Sequence, residues 1–125
     1  MKKLLSILMC LLLAGCSVPP REKSRLVTEI KIESNMPELC RAYTEPQKME
    51  TVLYYLRSLK RGHVAQTDPE RFSGTHFHIE LRYSDGSNRH IFQQADRYLS
   101  EDYKPWKEVE YGMFLTPLIQ NMPND

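Results

Sequence analysis

Glycine is scarce in this 125-residue chain, and usable cysteine is scarcer. Five glycines leave little material for a phosphate-cradling loop, and no such spacing occurs. Cys-x-x-Cys is absent, which removes the dithiol redox motif and the paired thiolates of a zinc clip. The apolar run Leu4–Leu13 would span only about 15 Å as a helix. That is half of what a bilayer core requires, so a permanent transmembrane anchor is not expected. Seventeen basic residues against 16 acidic ones lack the excess of a nucleic-acid binder, and no such partner is predicted. Ser73-Gly74-Thr75-His76 brings hydroxyl and imidazole together in sequence, without a nucleophile elbow or an acid in a recognisable place. No catalytic set and no cofactor are therefore predicted.

The beginning of the chain is more informative. Lys2 and Lys3 precede the apolar run, and the small residues Ala14 and Gly15 follow it, in the order of an export signal. The next residue is Cys16. Leu13-Ala14-Gly15-Cys16 resembles the lipobox of a bacterial lipoprotein precursor. That resemblance implies a diacylglyceryl group on the Cys16 thiol, cleavage just before it, and Cys16 as the first mature residue. It covers residues 1–16 alone. Two or more acyl chains anchor stably where one is marginal. The implied partner is thus a membrane, reached through lipid on Cys16, with the domain outside the cytoplasm. By the same resemblance, Ser17 after the cysteine implies outer-membrane sorting where there are two membranes. An envelope protein is a further expected partner, and oligomeric state is left open.

The expected organisation is a cleaved signal over 1–15, a lipidated cysteine and spacer over 16–24, and one globular domain over 25–125. Losing Lys2 and Lys3 with the signal leaves 15 basic residues against 16 acidic ones. Cys10 leaves too, and with Cys16 modified only Cys40 remains, so the mature monomer has no intramolecular disulfide. Small exported domains usually lean on disulfides, so this one must rely on its apolar core, with Cys40 as a small buried hydrophobe. Pro19-Pro20 followed by charge suits an extended spacer.

From Leu26 the pattern has period two: Leu26, Thr28, Ile30 and Ile32 on one side, Val27, Glu29, Lys31 and Glu33 on the other. That predicts a half-buried strand, ended by Ser34-Asn35-Met36-Pro37. A short helical turn is expected over Glu38–Tyr43, tucking Leu39, Cys40 and Tyr43 inward. Met49, Val52, Leu53, Leu56 and Leu59 then recur at helical spacing, flanked by Tyr54 and Tyr55. Thr44 as N-cap with Gln47 three residues on, and Lys60-Arg61 before Gly62, predict a helix over Thr44–Arg61. His63–Thr75 reads as a long connection and a candidate functional loop.

Phe77, Ile79, Leu81 and Tyr83 alternate with His76, His78, Glu80 and Arg82, and Ser84-Asp85-Gly86-Ser87 turns the chain into a return strand over Arg89–Gln94. The register is open. A two-residue turn sets Phe92 opposite Ile79 on the core face; a three-residue turn with a glycine bulge sets Ile91 there, and His90 opposite Glu80. One residue of slip exchanges the faces of the whole return strand. Ala95-Asp96 turns into a short strand over Arg97–Ser100, and Glu101–Pro105 into another over Trp106–Val109. A helix is expected from Glu110, carrying Phe114, Leu115, Leu118, Ile119 and Met122, kinked at Pro117, with Trp106 packed against it. The sum is α+β: an antiparallel meander with one long helix on one face and a short C-terminal helix. The element order is broadly similar to that of small exported modules such as PepSY domains, with no residue motif behind the likeness.

The sharpest constellation is His76, His78 and Glu80 on one strand face, with His90 joining them only in the bulged register. Polar side chains are what the wet face of any amphipathic strand carries, so this set is a speculative ligand face. The leading expectation is a membrane-anchored, non-enzymatic binding module of unknown ligand. Its rival is a zinc- or copper-binding lipoprotein using His76, His78 and His90.

Overall fold

The computed structural model describes residues 26–66, 68–69, 74–112 and 114–125, the side chain of Tyr111 excepted. The expected signal, Cys16 and the expected spacer, as well as Ser73 of the hydroxyl–imidazole pairing, lie outside the described residues.

Strand β1, Val27–Ser34, buries Ile30 and Ile32 as its alternation predicts. Its start departs from that pattern. Val27 pairs with Tyr83 and Glu29 with Arg82, so Thr28 is an extra residue. Such a bulge exchanges the faces of what precedes it. Val27 therefore packs on the core and Leu26, expected inside, is 65% exposed. A 3-10 turn, Pro37–Leu39, follows, then a three-residue strand β2, Arg41–Tyr43. Leu39 and Tyr43 are buried as expected, whereas Cys40 is only half-buried, its thiol 3.8 Å from the Ser34 carbonyl.

Helix α1 spans Pro46–Ser58 and buries Met49, Val52, Tyr55 and Leu56. Its N-cap is Glu45, whose carboxylate accepts from the backbone N–H of Gln47 and Lys48 at 3.1 and 3.3 Å. Thr44 does not cap it, because its hydroxyl donates to Asp125 at 2.7 Å. Nor does the helix reach Arg61: Lys60–Val64 is strand β3, and Gly62 lies inside it. Gly62 permits close approach there, since a Cβ would stand 2.9 Å from Glu110 Cγ on the neighbouring strand. His63 and Val64 of the expected loop thus belong to the sheet. Thr67 and residues 70–73 lie outside the described residues.

The hairpin of β4, His76–Tyr83, and β5, Asn88–Gln94, takes the three-residue turn. Ile79 faces Ile91 and Glu80 faces His90. Gly86, at φ +86°, occupies the left-handed position that such a turn needs. Ala95 and Asp96, both at positive φ, make the tight turn into β6, Tyr98–Glu101. Asp102 and Tyr103, also left-handed, lead toward β7, Lys107–Tyr111. Glu110 is therefore strand, and the last helix, α2, begins only at Leu115 and ends at Gln120. Pro117 sits in its first turn, where no backbone N–H is needed, so it produces no kink of the kind expected. Trp106 is half-buried and outside the apolar core, against the expectation that it packs on this helix.

The seven strands form one antiparallel sheet in the order β2-β1-β4-β5-β6-β7-β3, and the fold is α+β. Ile30, Ile32, Phe77, Ile79, Leu81, Ile91 and Leu99 line one face, in one cluster with the buried residues of α1 and with Leu115 and Ile119 of α2. Both described helices thus cover the same side. The C-terminal segment ties the β2 edge to α1: Asn124 accepts from the Ala42 N–H, and Asp125 accepts from the N–H groups of Thr44 and Glu45.

Candidate functional site

Alternation along β4 and β5 sends His76, His78, Glu80, His90 and Phe92 to the face away from the helices. The hairpin register decides this, since the two-residue alternative would have turned His90 and Phe92 about. The four residues of the predicted ligand face share that side but do not converge. His76 is drawn to the far end, where its Nδ1 contacts the amide oxygen of the buried Gln94. Glu80 leans toward Arg82, at 3.2 Å from its Nε. His78 and His90 alone meet, Nε2 to Nδ1 at 3.0 Å.

Around that pair the structure gathers side chains that local patterning did not single out. The His78 ring lies nearly parallel to Phe92, centroids 4.4 Å apart and planes 8° apart. Tyr103 leans over both His90 and Phe92, at centroid distances of 5.5 and 5.2 Å. It is 72% exposed, and the left-handed turn at Asp102-Tyr103 holds it there. Asp102 ties the turn to the strand: its carboxylate accepts from the His90 N–H at 2.9 Å, and its own N–H donates to the His90 carbonyl at 2.7 Å. From β1, Glu33 places a carboxylate oxygen 4.0 Å from His78 Nδ1. Partial burial holds the His78 pKa below its ordinary value, and the His90 imidazole pushes it the same way; Glu33 and Glu80 oppose them. His78 therefore favours the neutral form, in which a ring nitrogen keeps its lone pair.

The helix-covered face holds a different polar centre. Tyr55 of α1 donates to the side-chain oxygen of buried Gln93 at 2.6 Å, and Gln93 in turn donates to Asp96 at 3.3 Å. Burial raises the pKa of both Tyr55 and Asp96. This chain of bonds satisfies groups that would otherwise be stranded in the core. A cavity of about 450 Å³ between α1 and the hairpin is floored by Leu53, Leu56 and Leu81 and rimmed by Arg57, Arg61 and Arg89. Its arginines are already engaged: Arg57 with Glu50, and Arg61 and Arg89 with Glu101.

Among the described residues, no group of three or more His, Cys, Asp or Glu side chains is placed to hold a metal ion. No family model, curated protein or solved structure matches the chain. The geometry of the imidazole–aromatic cluster is therefore the guide to function.

Proposed function

We propose that this chain is an envelope lipoprotein whose domain is a non-enzymatic binding module, fastened by lipid on Cys16 and binding through the sheet face opposite α1 and α2, around His78, His90, Phe92 and Tyr103. The observation that carries the binding half is the cluster itself. Two imidazoles and two aromatic rings stand in mutual contact on the side of the sheet that neither described helix covers, with Tyr103 open to solvent. Exposed aromatic and imidazole surface of this kind suits recognition, because rigid rings make large contacts while ordering few rotatable bonds. The tether half rests on the order of charges, apolar run and Leu13-Ala14-Gly15-Cys16 at the start of the chain. No helix among the described residues is long and apolar enough to cross a membrane.

Mass spectrometry of the native protein tests the tether: the account expects a chain starting at Cys16 and carrying acyl mass. An unmodified cysteine with residues 1–15 still attached would remove it. Affinity capture from envelope extracts tests the module, with Tyr103→Ala expected to lose what the wild type retains. A turnover screen completes the test, since reproducible catalysis abolished by one side-chain change would replace the binding reading with an enzymatic one.

A further inference from the structure

The cavity between α1 and the hairpin has two linings that suit opposite halves of one ligand. Its floor is aliphatic, made by Leu53 and Leu56 of α1 with Leu81 and Ile91 of the sheet. Three guanidiniums, those of Arg57, Arg61 and Arg89, line it as well, and no carboxylate among the described residues does. Its volume of about 450 Å³ lies in the range of small-molecule sites. The arginines differ in what already holds them. Arg61 is held fast, since its Nε and Nη2 both donate to one oxygen of Glu101. Arg57 bonds Glu50 at 2.6 Å, but the two side chains are 60% and 62% exposed, so water screens the pair and exchange for another anion costs little. The carboxylates nearest Arg89 among the described residues are Asp102 at 3.5 Å and Glu101 at 3.7 Å. Both distances exceed a charge-assisted hydrogen bond. Arg57 and Arg89 thus line the cavity with donors to spare.

We infer that this cavity binds a small amphipathic organic anion, its carboxylate or phosphate held by Arg57 and Arg89 and its apolar body laid on Leu53, Leu56 and Leu81. The planar fork of a guanidinium meets either head group with paired hydrogen bonds, which a point charge cannot do. Neither half of the lining suffices alone. A bare anion leaves the aliphatic floor in water, and a neutral hydrophobe shields the guanidiniums from water without pairing them. A cationic amphiphile meets like charge. Leu81 and Ile91 belong to the core side of the hairpin, so the site lies across the sheet from His78 and Tyr103. It adds a ligand to the molecule and rests neither on the binding face proposed above nor on the lipid.

Methyl NMR on the full chain in discs of zwitterionic lipid, titrated with octanoate as the probe, tests the assignment. The expected result is saturable, one-site movement of the Leu53, Leu56, Leu81 and Ile91 methyl signals with Kd below about 1 mM. Octanol and octyltrimethylammonium should bind about ten-fold more weakly or worse, because each forgoes the charged hydrogen bonds. Inorganic phosphate alone should leave these signals in place. Arg57→Gln and Arg89→Gln should each weaken octanoate binding about ten-fold and leave octanol binding unchanged, with the ligand-free methyl spectrum confirming that each variant folds. No saturable movement, equal affinity for octanoate and octanol, or octanoate affinity unchanged in the Arg57→Gln/Arg89→Gln double variant overturns the site. The same movement in discs of anionic lipid with no octanoate added would put the membrane surface at the cavity and overturn a soluble ligand.

Discussion

The two faces of the same hairpin obey different constraints. On the covered face Ile79, Leu81 and Ile91 are each at most 2% exposed and packed in one cluster with α1, so their identity is dictated by volume and by exclusion of water. One residue along, on the open face, His78, His90 and Phe92 remain half-buried, held by ring stacking and one imidazole contact. Nothing in the packing of the core requires histidine at those positions. The covered face explains why the chain folds, and the open face is where residues are free to be chosen for what they touch outside.

The contrast can be broken most forcefully at adjacent positions of β4. Ile79→Ala removes a fully buried side chain and should cost about 2–5 kcal/mol in urea unfolding, as core truncations do. His78→Ala, next to it on the other face, should cost less than about 1 kcal/mol. Similar losses at the two positions would mean that the open face is structural. Tyr55→Phe is next in size: it leaves the buried oxygen of Gln93 without its donor and should destabilise by about 1–2 kcal/mol. Tyr54→Phe, on the exposed side of the same helix, should be silent.

A smaller effect belongs to the C-terminal tie. N–H groups of Thr44 and Glu45, the Thr44 hydroxyl and Lys48 hold the Asp125 carboxyl down to about 2, below its ordinary 3.8. The unfolded chain then takes up this proton first on acidification. Stability from the contact is present above pH 3.8 and is lost as the pH falls toward 2. Asp125→Asn should flatten that part of the stability–pH curve, whereas a curve unchanged by the substitution would show the tie to be idle. Smallest of all, Leu26→Ser should leave stability within about 0.5 kcal/mol, because the bulge at Thr28 has already turned that side chain outward.

Much of this was legible along the chain because it is local. The alternation of His76–Tyr83, the left-handed turn residues and the apolar stripe of α1 each announce their element within a dozen positions. The strands β2 and β3 escape, one being three residues long and the other a charged edge with no alternating burial. Lys60-Arg61-Gly62 fits a helix end as well as a strand, and only pairing with β7 settles it. The candidate site divides the same way. His78 and His90 stand out by residue type, but their meeting depends on a one-residue choice of turn that Asp85-Gly86 permits in two forms. Glu33 enters from β1, which lies beside β4 through a sheet order that no local pattern encodes, and Tyr103 enters from a turn.

The claim that the sheet face opposite α1 and α2 is the working surface is tested most directly by photo-crosslinking in intact cells from two exposed tyrosine positions. One is Tyr103 on the open face, and the other is Tyr54 on the outer side of α1. The account predicts a discrete crosslinked product from position 103 and none from position 54. Products from position 54 alone, or the same products from both, would contradict it.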